Sequence, residues 1–130
     1  MPTKTIKKKK KVAILEDDKM LNKYLAASFA KEGTYDVCAA LNGEEGIAMI
    51  KKEMPDLVLC DIIMPKKNGF EVLEAAKKDA KTKKIIFIML SNLSQESDVK
   101  QAKKMGAKDF WLKVDFDTEA IVKKVKDILK

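Results

Sequence analysis

Short apolar runs alternate along this chain with segments whose apolar residues recur every three or four positions. Val12–Leu15 is such a run and reads as a strand. From Lys19 to Glu32, Leu21, Tyr24, Leu25, Ser28 and Phe29 fall at helical spacing, and Gly33 is placed to end that helix as a C-terminal cap. Tyr35–Ala40 predicts a second strand. Asn42 then caps a helix from Gly43 to Lys52, with Glu45 at the third position as in a capping box, and Pro55 closes the segment. Leu57–Cys60, apolar throughout between Asp56 and Asp61, has the pattern of a strand covered on both faces.

After a turn-rich loop from Pro65 to Gly69, a short helix spans Phe70 to Lys78, with Phe70, Leu73 and Ala76 on one side. Ile85–Leu90 is the strongest buried-strand signal in the chain. Ser94 is placed to cap a helix to Met105, ended by Gly106. Asp109–Leu112 predicts a fifth strand, and Asp117 or Thr118 starts a last helix carrying Ile121, Val125, Ile128 and Leu129. Five strands alternating with five helices predict a doubly wound α/β domain with a parallel sheet. No internal repeat or linker interrupts it, and one domain is expected.

Composition removes several kinds of chemistry. The 130 residues include no histidine, and all 27 basic residues are lysine. That excludes a histidine general base, a histidine metal ligand and an arginine clamp on phosphate. The two cysteines, Cys38 and Cys60, lie in apolar runs and read as buried free thiols of a cytoplasmic protein. No apolar stretch is long enough to span a bilayer, and no signal peptide is visible. Of the net charge of +7, six lysines lie within residues 1–11, which hold no acid. The rest of the chain is almost neutral. Residues 1–10 are expected to form a lysine-rich, disordered leader and residues 11–130 the folded domain. The leader carries no aromatic residue to stack on bases, so a nucleic-acid partner is not expected. No membrane partner is expected either.

Ligands of an open parallel α/β sheet bind beyond the carboxyl ends of its strands. Those ends carry Glu16, Asp17 and Asp18 after the first strand and Asp61 after the third. Ser91 and Asn92 follow the fourth, and Lys113 the fifth. If the first and third strands are neighbours, Glu16, Asp17 and Asp61 meet in one pocket. Carboxylates gathered this closely resist joint ionisation unless a cation joins them. An all-oxygen donor set points to Mg²⁺ or Mn²⁺. A carboxylate can also act as the nucleophile in phosphoryl transfer.

The segments VAILEDD, LVLCDIIMPKKNGFEVL, IIFIMLSN and GAKDFWLK, in this order, resemble the receiver domain of two-component response regulators, here of the single-domain type. The resemblance implies the flavodoxin-like strand order 2-1-3-4-5. It implies that Asp61 is the phospho-acceptor, supplied by a histidine kinase or a phosphotransfer protein. Glu16 and Asp17, with Asp61 and the backbone carbonyl of Ile63, would hold the metal. Ser91 and Lys113 would contact the phosphoryl group, and Phe110 would be a switch aromatic. Phosphorylation would then alter the face made by the fourth helix, fifth strand and fifth helix, for a downstream partner or a homodimer. Such a chain is a switch and not an enzyme acting on a metabolite.

The pattern departs from the family where Val114 stands in place of a usual proline and Asn92 in place of a small residue. Ile63 and Leu93 are apolar at two positions that tune attack by water, which implies a long-lived phosphoryl group. The alternatives are an interaction module independent of phosphorylation and a metal-dependent phosphatase. The second lacks an acid two residues after Asp61, where Ile63 stands.

Overall fold

The computed structural model describes residues 9–92 and 95–130. The apolar runs form strands β1 (Lys10–Leu15), β2 (Tyr35–Ala40), β3 (Leu57–Cys60), β4 (Ile86–Ser91) and β5 (Asp109–Leu112). Between and after them lie helices α1 (Lys19–Glu32), α2 (Gly43–Glu53), α3 (Gly69–Lys78), α4 (Glu96–Lys104) and α5 (Thr118–Ile128). A short 3-10 turn, Lys113–Asp115, separates β5 from α5. The sheet order is β2-β1-β3-β4-β5, with every pair parallel. This is the flavodoxin-like doubly wound fold, and it makes β1 and β3 neighbours.

Each side chain in a strand points opposite to the next, so the sheet divides the interior into two cores. On one side Ala13, Leu15, Val58, Cys60, Phe87 and Met89 pack with α2, α3 and α4. On the other Val12, Ile14, Leu57, Leu59, Ile88 and Leu90 pack with α1 and α5. The central strands β1, β3 and β4 are buried on both faces, which is why they read as unbroken apolar runs.

The helix ends follow their capping residues. Asp18 accepts hydrogen bonds from the backbone N–H groups of Met20 and Leu21 and starts α1, and Gly33 ends it in the left-handed region. Asp117 accepts from the Ala120 N–H at the start of α5. Asn42 accepts from the Glu45 N–H. The reciprocal capping box forms instead at Asn68 and Glu71, inside the segment read from sequence as a loop and helix start. Helix α4 begins after Gln95, and the expected cap Ser94 lies outside the described residues. So does most of the lysine-rich leader; β1 itself begins at Lys10.

Two expected core positions differ. Tyr24 is exposed, and Asn22 turns inward together with the expected Leu25 and Phe29. Phe70 is half-buried, and Val72 takes the buried place beside Leu73 and Ala76. Cys60 is buried as expected, but Cys38 is only half-buried on the edge strand β2; both are free thiols.

Candidate functional site

The carboxyl ends of β1, β3, β4 and β5 converge at one edge of the sheet. Leu15 lies opposite Cys60 in the β1–β3 register, so Glu16 and Asp61 leave the sheet side by side. The Asp61 N–H, donating to the Leu15 carbonyl at 2.9 Å, continues the ladder one step past the strands. Carboxylate oxygens of Glu16, Asp17 and Asp61 lie within 4.8 Å of one another. Glu16 and Asp61 are buried, whereas Asp17 is exposed at the mouth.

Lys113 reaches this cluster from the end of β5. Its Nζ lies 3.0 Å from Asp61 Oδ2 and also pairs with Glu16 Oε1. The Ile62 N–H donates to Asp61 Oδ1 at 2.7 Å, and the Asp18 N–H donates to Glu16 Oε2 at 3.0 Å. Both buried carboxylates are therefore held in fixed orientation. The Lys113–Val114 peptide is not cis, and the 3-10 turn carries the chain past Val114, which is exposed. Lys113 reaches the pocket without the family's usual proline after it.

Burial pushes the Glu16 carboxyl up to about 7. The Lys113 ammonium and the Asp18 N–H pull it down, while the Asp61 charge adds to the rise. Burial disfavours the Lys113 ammonium, but its hydrogen bonds and attraction to Glu16 and Asp61 outweigh this and raise its pKa. Burial also raises the Cys60 thiol, and the Asp61 and Glu16 charges add to the effect, so this neighbour of Asp61 stays a thiol.

Three carboxylates and one lysine leave the pocket with an excess of negative charge. Three oxygen donors without histidine or thiolate suit a hard divalent cation, so the residues present fit Mg²⁺ or Mn²⁺.

The other expected site residues divide. Ser91 is buried at the end of β4, beside β3. Ile63 follows two residues after Asp61 with its side chain exposed. Phe110 is half-buried in the core beneath α3 and α4, opposite Met89, and does not join the acidic cluster. Leu93 lies outside the described residues.

Two supporting residues escaped the sequence reading. Asn22 Nδ2 donates to the Glu16 carbonyl at 2.9 Å and to the Ala40 carbonyl at 3.0 Å, tying the ends of β1 and β2 together. Gly69 packs directly on the Asp61 backbone. The signal for Asn22 was a polar residue within an amphipathic helix, and nothing distinguishes it from a solvent-facing one. Asn22→Leu takes the side-chain donor from the Glu16 carbonyl, while the Ala40 carbonyl keeps the Glu16 N–H. It is expected to lower stability by about 2 kcal/mol in urea unfolding and to weaken Mg²⁺ binding. A change within about 0.5 kcal/mol would show that water replaces the amide.

The site is thus an acidic trio and a lysine at the carboxyl edge of a doubly wound parallel sheet, a donor set that fits a hard divalent cation. The chain belongs to the response regulator receiver domain family, whose model matches residues 12–126. Protein PilH of Pseudomonas aeruginosa is 34% identical over 116 residues, covering 89% of this chain and 95% of PilH. The DNA-binding dual master transcriptional regulator RpaA of Synechocystis is 32% identical over 92% of this chain, which spans only 49% of RpaA. Among solved structures, the CheY-like receiver domain protein of Methanospirillum hungatei superposes with a TM-score of 0.85 at 27% identity, covering 93% of this chain and 94% of that one.

Proposed function

We propose that the chain is a phosphorylation-controlled switch in which Asp61 accepts a phosphoryl group from a phosphohistidine on a kinase or phosphotransfer protein. The observation that carries this is the buried Asp61 carboxylate, paired with Lys113 and within 4.8 Å of two further acids. One Asp61 oxygen attacks phosphorus as the P–N bond breaks, and the partner's imidazole leaves with the electron pair of that bond. Mg²⁺ held by Glu16, Asp17, Asp61 and the Ile63 carbonyl would supply neutralisation of the transferring oxygens. Lys113 moves from carboxylate to phosphoryl oxygen, and the Ser91 hydroxyl donates to another.

Ser91 ends β4 and Phe110 lies in the adjacent β5. Their adjustment would alter the α4–β5–α5 face for a downstream protein or a second copy of the chain. The chain would catalyse its own phosphorylation and dephosphorylation and convert no external metabolite. A cytoplasmic location fits this reading; among the described residues no helix is long and apolar enough to cross a membrane.

Incubation with Mg²⁺ and a small acyl phosphate or phosphoramidate is expected to add one phosphoryl group to the intact mass, and a chelator to prevent it. No gain by the folded protein would overturn the reading and leave an interaction module independent of phosphorylation.

The aspartyl phosphate is expected to be long-lived. Ile63 presents an exposed apolar side chain beside the acceptor, with no group to orient an attacking water. Rapid loss of the added mass after removal of the donor would contradict this.

A further inference from the structure

The near-neutral total charge of residues 12–130 conceals a strong polarity. All five strands run the same way and all helices return, so one edge of the sheet collects strand starts and helix ends. Six segments form that edge: 9–11, 31–36, 51–56, 77–84, 103–109 and 126–130. They contain sixteen lysines against seven acids. The opposite edge, formed by 16–19, 43–46, 61–71, 95–98 and 113–119, has twelve acids against four lysines. Fourteen of the sixteen lysines are exposed; only Lys11 and Lys77 are half-buried.

Lysines in last helical turns are expected from the helix dipole. Half of these sixteen lie outside any helix, including Lys81, Lys83, Lys84 and Lys108. The dipole therefore does not account for the whole excess.

Against the expectation from sequence that no membrane partner is bound, we infer that this basic edge is a docking surface for an anionic lipid bilayer, on which the phospho-acceptor edge faces away from the headgroups. Lysine tips without arginine read charge and not bases, and the only aromatic residue in these segments, Tyr35, is buried. Met54 gives the surface an apolar point. It ends α2 in the left-handed region and is 45% exposed, beside Lys51 and Lys52. A methionine among lysines suits a headgroup layer, where its side chain enters the acyl boundary. It gains nothing against a duplex phosphate backbone.

The test is co-sedimentation of the full chain with vesicles of phosphatidylcholine alone and of phosphatidylcholine with phosphatidylserine, at low and raised salt. Binding is expected only to the anionic vesicles and should fall as salt rises. Lys81→Gln, Lys83→Gln and Lys84→Gln together should reduce association about a hundredfold. Met54→Asn, which tolerates the left-handed backbone, should reduce it about fivefold. Lys66→Gln with Lys67→Gln, at the opposite edge, should leave it unchanged. All variants should still gain a phosphoryl group from the small donor, which reports an intact fold and pocket. Failure to bind anionic vesicles at low salt, equal binding to neutral ones, or undiminished binding by the triple variant would overturn the inference. So would tighter binding to duplex DNA than to the vesicles.

Discussion

Exchanging Asp61 for asparagine is expected to abolish phosphoryl acceptance and, at the same time, to make the metal-free protein more stable by about 1 kcal/mol near pH 8. The asparagine carbonyl oxygen can still accept from the Ile62 N–H, so the local geometry is kept. What disappears is one of two buried negative charges that share Lys113. Burial already disfavours ionisation of Glu16, and Asp61 adds to that cost. In chelator the variant should therefore melt a few degrees above the parent.

The pH dependence has a definite sign. A carboxyl whose folded pKa lies above its unfolded value loses stability as pH rises between the two. For Glu16 that interval runs from about 4.5 to about 7. The advantage of Asp61→Asn should be full above that interval and shrink below it, where Glu16 binds a proton. Mg²⁺ should stabilise the parent and narrow or reverse the difference, because the variant lacks one anionic ligand. A variant that melts below the parent in chelator would show that the Lys113 pair outweighs the repulsion.

The second large effect is expected at Gly69. A Cβ built there falls 2.2 Å from the Asp61 carbonyl oxygen and 2.8 Å from the Ile62 Cα. Both are backbone atoms, so no side chain can swing aside. The same glycine donates its N–H to the Ile62 carbonyl at 2.7 Å, which holds the start of α3 against the end of β3. Gly69→Ala must push these apart, at about 3 kcal/mol. The displacement acts on the peptide of Asp61, the proposed acceptor, so phosphorylation is expected to slow as well. Gly33→Ala is the useful comparison, because that site has open space but a left-handed backbone. It should cost about 1 kcal/mol and leave phosphorylation untouched. Equal losses in the two variants, read by urea unfolding, would refute the steric argument.

The central strands were legible because burial on both faces leaves runs of apolar residues. Tyr35–Ala40, Leu57–Cys60 and Asp109–Leu112 form strands with the bounds their composition predicts. The order of those strands is not contained in such a pattern; it came from the resemblance of four ordered segments. Errors fell where a local period could not say which residue wins a shared face. Tyr24 sits at a helical spacing that suits the core, yet Asn22 turns inward, where its amide donates to the Glu16 carbonyl and adds a second donor to the Ala40 carbonyl. The Asn68–Glu71 box was hidden because a capping signal after a proline and two lysines also reads as a turn. In the site, the acids and Lys113 could be named from strand ends alone. The contact of Lys113 with both buried carboxylates depends on β1, β3 and β5 ending at one level, which only the folded sheet determines.

The division of the interior by the sheet has an optical consequence. Phe110 and Trp111 are consecutive in β5 but lie in different cores. Trp111 is the chain's single tryptophan. Its Nε1–H donates to Asp109, and the Lys124 ammonium stands 4.9 Å from its ring centre. Lys113 is two residues further along the same strand direction. If Lys113 leaves the carboxylates for a new anion, the indole two residues back along the chain is expected to shift relative to the Lys124 charge. A change of intrinsic emission on adding Mg²⁺ and the small donor is the expected outcome, read from the compartment that α1 and α5 enclose.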